Sequence, residues 1–169
     1  MTDPIINRVA NSALQSIDLD DYFPLAERIS FDLKDLLFQG LIIKEKEFRL
    51  FVSEHDWSQY QDKDIAVFCS TDAIIPSWAI MVLAAKFQPF AHQIVFGTPE
   101  ELEKTLFMAA IATIKAESYK ESKVVIKGCG KHPVPAYAFA ELTRLLMPYV
   151  SSLMYGEPCS TVPVYKKKN

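Results

Sequence analysis

Three cysteines are the residues with the strongest potential for chemistry in this sequence. Cys69 and Cys129 each follow a short apolar run, and Cys129 lies between Gly128 and Gly130. Cys69 and Cys159 each begin the tripeptide Cys-Ser-Thr, whose hydroxyl groups suit hydrogen bonds to a thiolate. Thiolates are both metal ligands and nucleophiles, and a thiol beside a helix start has a lowered pKa. The three thiols therefore predict either metal binding or thiol chemistry.

The metal hypothesis places zinc or iron on the three thiols with one further ligand. Its ligand set is Cys69, Cys129 and Cys159, completed or oriented by Asp72, His55 or His132. Such a set satisfies the tetrahedral demand of zinc, and iron or an iron–sulfur cluster accepts similar thiolates. The sequence has no C-x-x-C motif, so only the fold can bring these ligands together.

Two other hypotheses stay open beside the metal site. In the first, Cys69 is the nucleophile of a sulfur- or acyl-transfer enzyme, assisted by His132 or Asp72. In the second, the protein is a binding or structural module and the cysteines are not reactive. The favoured interpretation of His55 is a structural histidine at a helix end rather than a ligand. Whether any reaction is catalysed is left open.

The elements that position these residues alternate between strands and helices. Strands are predicted at residues 65–68, 93–96 and 123–127, followed by helices at residues 73–85, from Pro99 to about residue 116, and through Leu142 and Leu146. Thr98, Pro99 and Glu101 form a capping box at the second helix start. This alternation predicts an α/β fold: a single domain with a mostly parallel sheet of about four strands and helices on both faces.

The same topology predicts which thiols meet. Right-handed crossovers place the turns after the strands at one edge of the sheet, so Cys69 and Cys129 converge there. Cys159 follows the last helix, which returns the chain to the opposite edge. It joins the other two only if Pro148 and the prolines after Gly156 redirect the tail.

The remaining segments give the domain boundaries. Residues 1–24 are an N-terminal arm or peripheral helix with a weak stripe of Ile5, Ile6, Val9, Leu14 and Ile17. Residues 25–165 form the single domain, with an edge strand over residues 29–33 and a helix over residues 45–55. A rigid, proline-rich tail at residues 157–163 precedes a frayed basic end at residues 166–169. No repeat of the solenoid type is present.

Composition narrows the function classes. The chain has 169 residues, 50% of them hydrophobic, and a formal net charge of -3, which gives nucleic acid no basic surplus to bind. No segment is apolar enough to span a bilayer, and the N-terminus is not a secretory signal. Without a secretory signal or a membrane span, the protein is expected to be cytoplasmic. Its odd number of cysteines and the reducing cytosol argue against a disulfide framework. The absence of G-x-G-x-x-G and Walker motifs argues against a nucleotide cofactor, and self-association stays open.

The strings CSTDAIIPSWA, KGCG followed by PVPA, GEPCSTVPVY and EHDWSQY are similar to domain-of-unknown-function family 2480. The resemblance extends from about Phe31 through most of the chain. It implies an uncharacterised bacterial protein whose relatives are often encoded near iron–sulfur cluster assembly proteins. Such neighbours favour an accessory role in iron–sulfur or sulfur metabolism, with assembly proteins as partners. The family supplies no catalytic residues.

Overall fold

The computed structural model describes residues 14–168, in which strands and helices alternate. The strands are β1 (Leu14–Asp18), β2 (Arg28–Asp32), β3 (Asp64–Phe68), β4 (Gln93–Phe96), β5 (Lys123–Lys127), β6 (Ser152–Glu157) and β7 (Ser160–Lys166). The helices are α1 (Glu45–Glu54), α2 (Ser77–Phe87), α3 (Pro99–Ala112) and α4 (Ala136–Leu146). Short 3-10 helices lie at Leu19–Tyr22, Leu33–Leu36, Trp57–Tyr60 and Ala116–Tyr119. None of the described helices has the length and apolar character needed to cross a membrane.

The protein is an α/β protein whose strands form two sheets. By compactness the chain divides into unit 1, residues 1–24 and 107–169, and unit 2, residues 25–106. Unit 2 holds a three-stranded sheet of order β2-β3-β4, and unit 1 a four-stranded sheet of order β1-β5-β6-β7. The prediction of an α/β class is confirmed. The predicted sheet of about four mostly parallel strands is present in unit 1, where only β7 is antiparallel to its neighbour. The prediction of a single sheet is wrong, because the strands pair in two separate groups.

In unit 2, β3 is the buried central strand that its unbroken apolar run predicts. It pairs in parallel with β2 on one side and β4 on the other. Ile65 and Val67 pack in one cluster with Leu83 of α2, while Ala66 packs against Leu102 of α3. Successive side chains of a strand point to opposite faces, so helices cover both faces of this sheet.

In unit 1, β5 has the same central position. It pairs in parallel with β1 and β6, and Val124 packs in one core with Leu142 of α4. A two-residue turn then joins β6 to the antiparallel β7. Gly156 has φ 114°, and a side chain there would meet the Ser160 carbonyl oxygen at 2.6 Å. The hairpin therefore depends on glycine at this position.

The two units repeat one pattern, which the sequence reasoning missed. At a single constant separation along the chain, Tyr60 matches Tyr119, Asp62 matches Glu121, Pro76 matches Pro135, Leu83 matches Leu142, Pro89 matches Pro148 and Gly97 matches Gly156. Asp62 and Glu121 both have positive φ, 59° and 57°. The sheet registers match as well, since Arg28 pairs with Asp64 and Leu14 with Lys123 at the starts of equivalent strand pairs.

Two predicted segments differ from the structure. Leu14 and Ile17, predicted to belong to an N-terminal arm or peripheral helix, lie in β1, because pairing with β5 outweighs a weak helical stripe. Ile5, Ile6 and Val9 lie outside the described residues. The tail expected to be rigid and then frayed is the β6–β7 hairpin, which continues to Lys166. The domain boundaries at residues 24/25 and 165/166 stay a prediction, since compactness is not a test of independent folding.

Candidate functional site

The loop between β5 and α4 carries an exposed thiol of unit 1. Cys129 is exposed, and its thiol has no hydrogen-bond partner among residues 14–168. A side chain at position 128 would approach the Phe139 ring to 2.7 Å, and one at position 130 would overlap the Asp20 carboxylate. Neither glycine has positive φ. The glycines thus serve close packing of the loop and not a left-handed backbone conformation.

The Asp20 carboxylate binds the backbone of this loop, although Asp20 is far from the loop in the sequence. It lies just after β1, in a 3-10 helix that Asp18 caps by accepting the Asp20 amide at 3.0 Å. Its carboxylate accepts the backbone N–H groups of Lys131 at 3.2 Å and His132 at 2.8 Å. The His132 amide is the main reason that the pKa of Asp20 is lowered from its usual value. Burial opposes this effect without reversing it.

His132 is held by the same carboxylate and by an aromatic ring. Its Nδ1 lies 3.0 Å from Asp20 Oδ1, and its ring stacks on Phe23 with centroids 4.3 Å apart. A carboxylate only accepts hydrogen bonds, so Nδ1 carries the proton in this pair. The lone pair of the neutral ring is then on Nε2. That arrangement is typical of a histidine prepared to accept a proton.

An apolar pocket adjoins the loop. Its volume is about 460 Å³, within the range of small-molecule sites. It is lined by Ile126, Val134, Ala136, Phe139, Ala140, Thr143, Met154, Tyr155 and Val164. Gly128, next to Cys129, packs against two of these residues, Phe139 and Val134. The exposed thiol therefore directly follows a glycine that lies close to two residues of the pocket lining.

Cys159 lies at the same sheet edge as Cys129. The β5 and β6 strands are parallel, and Cys129 and Cys159 follow their carboxyl ends. Lys127, the last residue of β5, forms ion pairs with the last residues of the strands on either side. Its Nζ lies 3.0 Å from Asp18 of β1 and 4.0 Å from Glu157 of β6. The expectation that Cys159 returns to the opposite edge is wrong, because β6 runs back across the sheet after α4.

Cys69 has a different environment in unit 2. Its partly buried side chain packs on the unit 2 core, and its sulfur lies 3.3 Å from the Thr71 hydroxyl. The next residue, Ser70, donates its amide to Asp32 at 3.0 Å. Asp72 is exposed in the same loop. Cys69 and Cys129 follow strands of different sheets, so the sequence argument that a shared sheet edge joins them does not apply.

His55 lies in an aromatic cluster of unit 2. It follows α1, and its Nε2 is 2.8 Å from the Tyr60 hydroxyl and 3.2 Å from the Gln59 amide. The rings of Phe51 and Trp57 lie with centroids 4.8 Å away. These contacts are those of a histidine that packs and hydrogen-bonds at a helix end.

The described residues hold no group of three or more histidine, cysteine, aspartate or glutamate side chains arranged to bind a metal ion.

The sequence reasoning also missed two aspartates paired with histidines. Asp20 lies just after β1, where an aspartate is well placed to cap a loop at the same edge of the sheet. Asp64, fully buried, lies 2.7 Å from Nδ1 of His92, and no spacing in the sequence indicated this pair.

These features define an α/β protein of two repeated units, with an exposed thiol, a carboxylate–imidazole pair and an apolar pocket in unit 1. The chain belongs to the family described as protein of unknown function (DUF2480), whose model matches residues 3–167. No curated protein and no solved structure is significantly similar to it.

The Asp20 pair gives a pH-dependent prediction. A carboxylate whose pKa is lowered by folding stabilises the folded state above its unfolded pKa, and this contribution is lost as pH falls through the folded pKa. Asp20→Asn is therefore expected to be less stable than the natural protein at neutral pH, with the difference shrinking below the usual value of 3.8. Urea unfolding at several pH values measures this.

Asp21→Asn is the matched control, since Asp21 is exposed and has no hydrogen-bond partner in the described part of the chain. A stability difference for Asp20→Asn that did not change with pH would contradict the role given to this carboxylate.

Proposed function

We propose that unit 1 carries a thiol-dependent acyl-transfer site in which Cys129 is the nucleophile and His132 the acid–base group. The observation that carries the proposal is the Asp20 carboxylate, which binds both the loop backbone and the His132 ring. One side chain thereby fixes the loop that presents the thiol and orients the imidazole in that loop. Nucleophile, base and orienting carboxylate are the three parts of covalent catalysis by a thiol.

The apolar pocket favours an acyl group over a persulfide sulfur as the group transferred. Its lining is aliphatic and aromatic, apart from the Thr143 and Tyr155 hydroxyls. Burial of an alkyl chain gains about 0.8 kcal/mol for each methylene removed from water. We therefore assign the pocket to the chain of an acyl thioester.

The transfer balances without an oxidant or reductant. In the proposed first step the exposed Cys129 thiol gives its proton to Nε2 of His132. The thiolate attacks the acyl carbonyl carbon, a new S–C bond forms, and the C–S bond of the donor breaks. The departing thiolate takes the proton from His132. Attack by water or an amine on the acylated cysteine releases the product and restores the thiol.

Incubation with a short-chain acyl thioester, followed by intact mass measurement, tests the proposal. We expect one acyl group per chain in the natural protein and none at this site in Cys129→Ala. Cys159→Ala is the matched control, because Cys159 is also exposed at the same edge and should not be needed. Acylation that is absent, or that is spread equally over the two cysteines, would refute the assignment.

The metal hypothesis, in which the thiols bind zinc or iron and the protein serves iron–sulfur assembly proteins, stays a prediction. Elemental analysis of protein purified without a histidine tag under reducing conditions tests it. About one equivalent of a transition metal would support a thiolate site. Less than about a tenth of an equivalent would count against it.

A further inference from the structure

A basic groove crosses the edge of the unit 1 sheet opposite to the thiol loop. It lies at the amino ends of β5 and β6 and the carboxyl end of β7, and its volume is about 420 Å³. It is lined by Glu121, Lys123, Ser151, Ser152, Lys166, Lys167 and Lys168. Four of these seven residues are lysines, in a chain whose formal net charge is -3. The positive charge of the groove is therefore local.

Strand register places two of the lysines on either side of a hydroxyl group. Lys123 pairs with Ser152 across β5 and β6, and Ser152 pairs with Lys166 across β6 and β7. Directly paired residues point to the same face of a sheet, and neighbouring strands are about 4.8 Å apart. The two lysine positions are thus roughly 10 Å apart, with Ser152 between them.

One cation of the groove is neutralised within unit 1. Lys167 Nζ lies 2.7 Å from Glu121 Oε1, and the Lys167 amide donates to the Ser151 carbonyl at 3.0 Å. These two contacts hold Lys167 against the sheet. In the described part of the chain, Lys123, Lys166 and Lys168 have no carboxylate within ion-pair distance. Three lysines of the groove are therefore without a carboxylate partner among residues 14–168.

In unit 2 the positions that match Lys123 and Ser151 of the groove carry two side chains that pair with each other. Asp64 of unit 2 matches Lys123, and His92 matches Ser151. There the fully buried carboxylate and the imidazole are 2.7 Å apart and pair with each other. In unit 1 the matching positions carry a lysine and a serine, with a second lysine on the added strand β7. The groove is therefore a feature of unit 1 and not of the shared fold.

We infer that this groove binds a small, multiply charged anion of the phosphate class, such as pyrophosphate or a phosphate monoester. Lysine ammonium groups and a serine hydroxyl are donors that match phosphate oxygens. The net negative charge of the protein disfavours a long polyanion. A small anion responds mainly to charges within the screening distance of about 8 Å at physiological salt.

Calorimetric titration of the full-length protein with pyrophosphate tests the inference. We expect saturable binding that weakens at least about tenfold in the double variant Lys123→Gln, Lys166→Gln, a change of about 1.4 kcal/mol. Lys86→Gln, an exposed lysine of α2 without an acidic partner among the described residues, is the control and should bind like the natural protein. Thermal unfolding without ligand checks that both proteins are folded.

Three results would overturn the inference. The first is no binding at about 1 mM pyrophosphate, a concentration far above the Kd of a specific site. The second is equal binding by the double variant and the control, and the third is equal binding of sulfate. Tighter binding of a short RNA or of heparin would replace the small ligand with a polyanion. None of these outcomes depends on Cys129, so they are distinct from failure of the acyl-transfer site.

Discussion

Replacing His132 by asparagine is expected to slow acylation of Cys129 by about 100-fold or more at neutral pH, because general acid–base catalysis typically contributes roughly 10²–10⁴-fold. The asparagine amide keeps an N–H group that can donate to Asp20, while it offers no base in place of Nε2. The change therefore removes the proton transfer and retains the bond that holds the loop. Rapid mixing with an acyl thioester, followed by quenching at set times and mass spectrometry, measures the rate.

The pH profile separates proton transfer from a purely structural effect. If His132 transfers the proton, the dependence of the rate on pH should change its shape in His132→Asn. His92→Asn is the matched control, because His92 is also a histidine held by an aspartate, yet it belongs to unit 2. Equal rates in the two variants, or an unchanged pH profile in His132→Asn, would remove His132 from the mechanism.

Truncating Leu142 or Leu83 to alanine is expected to lower the free energy of unfolding by about 2–5 kcal/mol. These leucines occupy equivalent positions in α4 and α2, and each is 0% exposed. Each substitution removes a side chain from the centre of its own core cluster and leaves a cavity that close-packed neighbours fill only in part. Urea denaturation followed by circular dichroism measures both losses.

Leu50→Ala is the control for leucine loss on a helix surface, since Leu50 of α1 is 57% exposed. Its effect should stay within about 0.5 kcal/mol. A loss below about 1 kcal/mol for Leu142→Ala or Leu83→Ala would mean that the matched position does not carry the core packing of its unit.

Local structure was predictable wherever short-range patterns determine it. The buried run before Cys69 is β3, residues 93–96 are β4, and residues 123–127 are β5. The Thr98 capping box is also confirmed, since Thr98 N donates to Glu101 Oε2 at 2.7 Å and Glu101 N donates to Thr98 Oγ1 at 3.3 Å. These features depend on apolar runs and caps that neighbouring residues supply.

The pairing of the strands was not predictable from the same patterns. Alternating strands and helices are compatible with one sheet or with two, because the period of a strand does not specify its partner. Here β1 pairs with β5 although all of unit 2 lies between them in the chain. That pairing also brings Asp20 to the loop of His132, residues that are far apart in the sequence.

By itself, the sequence determined the α/β class, most of the strands and helices, and the two thiols that follow central strands. Only the tertiary structure decided which residues surround each thiol. Hydrogen bonds and apolar packing act between atoms a few ångströms apart, and chain spacing does not report such distances. The same holds for the lysines of the groove, which become neighbours through the registers of β5, β6 and β7.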